Sequence, residues 1–306
     1  MERTLDLDQL RTFALVLELG SFSAAALRLG VTQPAVSLQV RNLERRLSVR
    51  LIERLGRRVG PTPAGADLLA HVPHVSAAVA NAVSAATFHS AGVTGRVRLG
   101  TGLTSCLYLL PPILHDLRRR YPSLSIIVST GNTDDYVRRI EDNSIDAAIV
   151  TLPIVSRAVA SIPIVQDELM AICRRGTCDW PAAVTPQMLN QFPLVKFEPG
   201  SSTRGIVDAW LSTGGGAPPP AAVMEFDSVE AIKAMVAAGL GCSILPRMAL
   251  SGPNRRHEDL ELRPLDPPLY RTQALITRHD KPMNRGLQKV IEAIVEGGKA
   301  AAPPGR

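Results

Sequence analysis

SFSAAALRLGVTQPAVSLQVRNLERRLSVRLIER, residues 21–54, decides how the N-terminal part of the chain folds. Two short helical segments meet here at a turn containing Gly30. Ser21 or Ser23 can cap the first, AAALRL, because a hydroxyl accepts from the unpaired amides of a first helical turn. Gly30 stops it, since glycine enters the left-handed region with no Cβ to clash. Thr32 is placed to cap the second, with Pro34 tolerated in its first turn, where no donor is needed. In that second helix Val36, Val40, Leu43 and Leu47 make one apolar stripe, and Pro34, Ser37, Leu38, Arg41 and Arg45 project roughly opposite. Upstream, DQLRTFALVLELG aligns Leu10, Phe13, Ala14 and Leu17 on one face and ends at Gly20. Short helices joined by a glycine turn, the last with a polar and basic outer face, have the geometry that lays a helix into the major groove.

Charge supports that geometry. The 306-residue chain carries a net charge of +6. Seven arginines (41, 45, 46, 50, 54, 57, 58) stand against Glu44 and Glu53 over residues 41–58. A basic run directly after a helix-turn-helix reads as a phosphate-contacting surface rather than only a solvated face. With 45% apolar and 20% charged residues the composition is globular, and with 4% aromatics the cores rest on Ala, Val, Leu and Ile. The length predicts two or three folding units.

Residues 21–54, followed by TPAG, resemble the DNA-binding domain of LysR-type transcriptional regulators. The resemblance rests on Phe22, Ala25, Ala26, Leu29, Thr32, Gln33, Pro34, Ala35, Val36, Ser37, Leu43, Glu44, Leu51, Arg54, Thr62, Ala64 and Gly65 at fixed spacing. It implies a winged helix-turn-helix over residues 1–65, with Thr32, Gln33, Pro34, Ser37 and Arg41 at or near the groove and Arg54, Arg57 and Arg58 in the wing. Ser23 and Arg45 complete the candidate DNA-binding set. Hydroxyls and amides at a helix start can meet base edges or phosphates, while arginines supply salt-dependent backbone affinity. Ala25, Ala26, Val36 and Leu43 read as plain core packing. Three positions depart from the family pattern: Ile52 for Phe, Ser48 for Gly and Pro61 for Leu, the last bearing on the junction after the wing.

From about Pro63 to Ser90 the chain is rich in Ala and Val, and Leu68, Val72, Val75, Val79, Ala82 and Ala86 form a heptad seam. Residues 66–92 are therefore expected to be a linker helix pairing with a second copy, as the resemblance implies, or else a non-pairing connector. Pro73 inside it should kink the helix.

Beyond Gly92, strands alternate with helices: VRLGTG, SCLYLLPPILHDLRRRYP, SIIVST, DDYVRRIEDN and DAAIV, then IPIVQDELMAICR, LVKFEP, a helix from about Thr203 to Leu211, AAVMEF, a helix from Val229 to Ala238, and GCSILP. RTQALIT and NRGLQKVIEAIVEG close the set. That alternation predicts right-handed βαβ units on a parallel sheet, with STGGGAPPP as a loop and GGKAAAPPGR disordered. VRLG, LLPPIL, RRRYPSL, IDAAIV and MVAAGLGCSILP resemble the effector domain of the same family, a two-lobed α/β fold like periplasmic binding proteins. The resemblance implies an effector domain over residues 93–300, with lobe I at 93–163 and 268–300 and lobe II at 164–267, hinged near residues 162 and 267. The chain is thus read as an α/β multidomain protein: a winged helix-turn-helix, a long linker helix and a two-lobed effector domain.

The cleft of such a fold gathers helix N-termini, whose free amides and dipoles favour carboxylates and phosphates. By resemblance the effector-binding candidates are Gly102, Thr104, Ser105, Gly131, Asn132 and Thr133 in the first lobe and Ser201, Ser202, Thr203, Arg204, Phe226 and Ser228 in the second. The run GSSTRG brings three hydroxyls and a guanidinium to a helix start, which suits a small organic anion. These hydroxyls could equally serve as helix caps. The resemblance implies a co-inducer rather than a cofactor, binding to double-stranded promoter DNA as a dimer or a homotetramer, and RNA polymerase as a further partner.

Rival classes fare worse. No GxSxG, HExxH, Walker A or GxGxxG motif is present, so an enzyme is not expected. A solute-binding protein would need a secretory signal, and the acidic start MERTLDLDQL does not provide one. No apolar run approaches the ~18 residues that span a bilayer, so a cytoplasmic, nucleoid-associated protein without a membrane partner is expected. Cys106, Cys173, Cys178 and Cys242 form no metal pattern, and His71 and His74 have no further ligand nearby in sequence. Oxidation of Cys173 and Cys178 is the alternative trigger for the same regulator fold.

Overall fold

In a computed structural model the described residues are 5–55, 58–87, 93–214, 221–250 and 259–301. The chain divides into two compact units, Met1–Val83 and Ser84–Arg306. The first unit opens with three helices, α1 (Leu7–Leu19), α2 (Phe22–Leu29) and α3 (Gln33–Leu47). Asp6 caps α1 through the amides of Asp8 and Gln9, and Ser21, rather than Ser23, caps α2 through the amide of Ala24. Gly20 and Gly30 end these helices in the left-handed region at φ 61° and 69°. Val16, Ala25, Ala26, Val36 and Val40 form one buried cluster, and Leu10, Phe13, Leu43 and Leu51 a second. Val16 takes the buried place that the sequence pattern gave to Ala14, which is only half-buried. Each large aliphatic side chain buried there contributes about 1.5–3 kcal/mol.

A two-stranded wing follows, β1 (Ile52–Leu55) antiparallel to β2 (Arg58–Pro61). Pro61 pairs opposite Ile52 without disturbing the junction. The Thr62 amide donates to the Leu51 carbonyl at 3.0 Å, and the Thr62 hydroxyl accepts from the Gly65 amide at 3.1 Å. Helix α4 (Pro63–Thr87) runs unbroken through Pro73, which is exposed. Leu68, Val72 and Val75 pack against the Leu10 cluster of their own unit. The first half of the expected pairing seam is therefore used intramolecularly, because one amphipathic stripe has the same spacing whatever it faces. Of the rest, Val79 is half-buried and Ala82 exposed, while residues 88–92 and the side chain of Ala86 lie outside the described residues.

The second unit is built on a six-stranded sheet of order β4-β3-β5-β10-β6-β9: β3 (Gly95–Thr101), β4 (Leu124–Thr130), β5 (Ala147–Thr151), β6 (Val159–Arg174), β9 (Ser243–Pro246) and β10 (Leu260–Arg278). A separate parallel pair joins β7 (Leu194–Phe197) to β8 (Ala222–Phe226). Only β3, β4 and β5 run parallel in the large sheet; β10 is antiparallel to both β5 and β6, so the expected all-parallel sheet is mixed. β6 and β10 lie far apart in sequence, and local alternation of strands and helices does not reveal their pairing. These two strands pass through both lobes. Their ladder is interrupted where residues 265–268 have no partner on β6, Leu265 bridging Val184 instead, and again where Gln273 faces Val165 but Ala274 faces Pro163.

Helices α5 (Leu103–Tyr108), α6 (Leu110–Arg120), α7 (Thr133–Glu141) and α11 (Arg285–Ala301) accompany the first lobe; α8 (Pro186–Leu189), α9 (Ser202–Ser212) and α10 (Val229–Ala237) accompany the second. The single helix expected over SCLYLLPPILHDLRRRYP is divided at Leu109, since Pro111 and Pro112 supply no amide donors and fit only a new first turn. α11 extends to Ala301, so residues 297–301, expected to be disordered, are helical. Gly297 and Gly298 bring this end close in: a Cβ there would lie 2.5 Å from Ile113 and 2.7 Å from the Ile164 carbonyl. Residues 302–306, and most of the STGGGAPPP loop, lie outside the described residues.

Candidate functional site

The outer face of α3 is polar and open. Thr32 stands at the N-cap but makes no side-chain cap bond, so its hydroxyl and the first-turn amides are available. Gln33, Pro34, Leu38, Arg41 and Arg45 are exposed and Ser37 half-buried, as is expected for the side opposite Val36, Val40 and Leu43. The Gln33 amide nitrogen donates to the Ser37 hydroxyl at 2.8 Å, and Arg41 Nε donates to the Ser37 carbonyl at 3.3 Å. Arg45 is held by Asn42. Ser23 is exposed on α2. Arg57 lies outside the described residues, as do the side chains of Arg54 and Arg58. Glu44 fixes the approach to the wing: its Oε1 accepts from the amides of Leu51 at 2.8 Å and Ile52 at 3.2 Å. Gly65 must be glycine, because a Cβ would fall 1.9 Å from the Leu51 carbonyl oxygen.

The second unit holds a cavity of about 180 Å³ between its lobes. Gly102, Thr104, Ser105, Gly131, Asn132, Thr133, Ser201, Ser202 and Thr203 all line it. These residues sit at the starts of α5, α7 and α9, and none of the three N-cap residues (Gly102, Asn132, Ser201) makes a side-chain cap bond. Where capping does occur, at Ser228 on α10, the hydroxyl accepts from the Ala231 amide, and Ser228 does not line the cavity. Thr104 is 7% exposed, and its hydroxyl has no partner among the described residues.

Arg204 and Phe226 also stand outside the lining. The Arg204 guanidinium is engaged by Asp208, the Phe197 carbonyl and, at 3.0 Å, Glu225. A partner at i+4 on the same helix turns it along α9 instead of over the helix start. Burial lowers its affinity for a proton, but the bonds to Asp208 and Glu225 outweigh that and raise its pKa.

The cationic group in the cavity is Arg271, on β10, 4% exposed. Its Nε and Nη2 donate to Asp167 Oδ2 at 3.2 and 2.9 Å, and Nη1 donates to the Thr203 hydroxyl at 3.0 Å. Burial pulls its pKa down and Asp167 opposes that; a guanidinium stays charged at any physiological pH. Gln273, two residues on, accepts from the Ser105 hydroxyl at 3.2 Å and donates to the Thr151 hydroxyl at 2.9 Å. Sequence reasoning missed both. The available signal was a pair of long polar side chains at i and i+2 in an otherwise apolar strand, which must share a buried face and find partners there. Glu198 and Asp227 complete the charged lining.

Among the described residues, polar contacts join the lobes at the cavity and beyond it. Asn132 Nδ2 donates to Glu198 Oε1 at 3.1 Å. Tyr108, at the end of α5, meets Glu230 and accepts from Lys233 Nζ at 2.7 Å. Burial first, and then Glu230, push the Tyr108 hydroxyl above its ordinary pKa.

A basic, open helix on a winged three-helix unit, followed by a two-lobed α/β unit with a small polar cavity, is the architecture of a DNA-binding regulator. The family model for the bacterial regulatory helix-turn-helix protein, lysR family, matches residues 7–66, and that for the LysR substrate binding domain matches residues 90–299. The chain therefore belongs to the LysR family of DNA-binding transcription regulators. It is 31% identical to the HTH-type transcriptional regulator YeiE of Escherichia coli over 94% of its own length and 96% of that protein. It is 32% identical to CbbR of Rhodospirillum rubrum (97% and 96%) and 34% to a probable hydrogen peroxide-inducible genes activator of Mycobacterium leprae (78% and 77%). A full-length OxyR variant from Pseudomonas aeruginosa superposes with a TM-score of 0.71 at 25% identity, covering 97% of this chain and 95% of that one. CbnR bound to its target DNA shares the fold, with a TM-score of 0.72 at 20% identity over 96% and 100% of the two chains. Among the described residues no helix is long and apolar enough to cross a membrane, and no group of three or more His, Cys, Asp or Glu could hold a metal ion.

Proposed function

We propose that this regulator acts in the cytoplasm, on the nucleoid, and binds promoter DNA through Thr32, Gln33, Pro34, Ser37 and Arg41. Ser23, Arg45 and the wing arginines add phosphate contacts. A small organic anion in the interlobe cavity is the effector. The observation that carries this reading is the convergence of three uncapped helix starts, the open Thr104 hydroxyl and the buried Arg271 on one small cavity. Amides without internal acceptors and a buried cation favour a carboxylate or phosphate. Effector binding shifts the balance between lobe arrangements. In a dimer or tetramer that shift re-spaces the recognition helices along a partly palindromic operator, and thereby changes what RNA polymerase meets there.

The test is DNase footprinting on the upstream intergenic region of its own gene, with and without candidate organic anions. A salt-sensitive footprint that shortens or shifts with one compound is expected, and Thr104→Val together with Ser202→Ala should abolish the shift but not the footprint. An unchanged footprint with every carboxylate compound, amino acids included, would sink the effector assignment, and absence of any footprint in a genome-wide fragment selection would sink the operator reading.

Thiol oxidation is the second reading, favoured by one cluster: Cys178 Sγ lies 3.5 Å from Cys242 Sγ and also neighbours the Cys173 thiol, the partner suggested by sequence spacing. The relative named as a hydrogen peroxide-inducible activator gives it a precedent. Peptide mass spectrometry after peroxide treatment decides it: a Cys178–Cys242 bridge that alters the footprint supports oxidation, and free thiols with an unchanged footprint exclude it.

A further inference from the structure

The charged lining of the cavity does not match a simple anion. Arg271 is the cationic side chain that lines it, and its charge is already met by Asp167 through two hydrogen bonds to one carboxylate oxygen. Glu198 and Asp227 line the same space. Glu198 is half-buried; one of its oxygens accepts from Asn132 and the other has no partner among the described residues. Asp227 is exposed and also has no partner among the described residues. Against this negative balance, the starts of α7 and α9 supply roughly half a positive charge each, localised at their amides. The cavity therefore offers one ligand two kinds of group: helix amides with Arg271, and two carboxylates with spare acceptor oxygens, Glu198 lying against the α7 start through Asn132. A ligand bearing only negative charge would meet the amides and be repelled by the carboxylates.

We infer that the effector is a zwitterion, a small amino-carboxylate whose ammonium group is received by Glu198 and Asp227 while its carboxylate meets the helix starts. The inference rests on the anion-binding reading above and narrows it. The independent indication that a ligand belongs here is Thr104, more than nine-tenths buried, lining the cavity with a hydroxyl that has no partner among the described residues. Because Glu198 also accepts from Asn132 of the opposite lobe, the ammonium would sit on the bridge that joins the lobes, so the charge that selects the ligand also bears on their separation.

The experiment uses the full chain and thermal unfolding followed by fluorescence. The probes are the common amino acids and, for each, the carboxylate lacking the amino group, at about 10 mM, since a ligand of the folded state raises the melting temperature in proportion to ln(1 + [L]/Kd). Isothermal titration then gives Kd for any pair with a shift. At least one amino acid is expected to bind about tenfold or more tightly than its deaminated counterpart. Glu198→Gln should remove most of that preference by weakening the amino acid alone. Asp227→Asn, at an exposed position that does not threaten folding, should reduce it in the same direction. Carboxylates that bind as tightly as the matching amino acids, or a preference untouched by both variants, would overturn the zwitterion while leaving the anion site standing. If neither class binds, both readings fall.

Discussion

Replacing Arg271 by Met isolates the central ion pair of the effector domain. Arg271 is 4% exposed and Asp167 5%, so neither charge can rely on bulk water. The substitution removes two of the three donors that Asp167 holds, leaving the Met248 amide at 3.0 Å, and strips the Thr203 hydroxyl of its donor. Removing one member of a buried pair costs about 3–5 kcal/mol, chiefly because the other charge is left without compensation. The adjoining cavity lets water approach, which puts this case near the lower end, at about 3 kcal/mol. For a unit of this size each kcal/mol lowers the melting temperature by about 2–4 °C, so calorimetry should show the effector-domain transition about 6–12 °C lower. The double variant Arg271→Met with Asp167→Leu should recover most of the loss, since an apolar pair of similar volume leaves no charge stranded. A melting temperature within about 2 °C of the parent at neutral pH, or a double variant no better than the single one, would refute the reasoning.

Ser48 sits at φ 57°, ψ 32° at the end of α3, a conformation that costs a side-chain-bearing residue about 1 kcal/mol or more. Ser48→Gly should stabilise the N-terminal unit by about 0.5–1 kcal/mol after the entropy of glycine is counted, and an unchanged or lower melting temperature would contradict this. Gly65→Ala should cost about 3 kcal/mol or more, because its Cβ would displace the Leu51 carbonyl that Thr62 uses to close the wing, and operator binding should fall with it. Burial, then the neighbouring Cys178 thiol, push Cys173 up to about 12 and Cys242 also upward. Both should therefore resist iodoacetamide at pH 8 in the native protein and react on unfolding; stoichiometric labelling of native Cys242 within minutes would show the packing described for it to be wrong.

What could be read from the sequence followed the range of the interactions involved. The helix-turn-helix is local: two glycine stops and the stripe Val36, Val40, Leu43 all act within a few residues, and they stand where periodicity puts them. The hydroxyl-rich loops at 102–105, 131–133 and 201–203 were legible for the same reason, since each is the start of a helix. Arg204 went astray because a side chain in a first turn has a competing partner one turn further on, and Asp208 takes it. The buried partners of Arg271 and Gln273 could not be placed from local pattern, because they depend on β10 pairing with β5 and β6 far earlier in the chain, and Glu198 meets Asn132 only across the lobes. The seam on α4 shows the opposite hazard: its spacing was legible, but Leu68, Val72 and Val75 face their own unit.

The pairing of β6 with β10 has a mechanical consequence. Two strands that cross from one lobe to the other and remain hydrogen-bonded to each other form a ribbon, and a ribbon resists shear while yielding to torsion. Motion between the lobes is thereby channelled into twist, with the two gaps in the ladder as its most compliant points. Arg271 and Gln273 stand beside one of those gaps. A molecule gripping them holds the torsion bar itself rather than the plates at its ends, so a small contact there sets the angle of everything the bar carries.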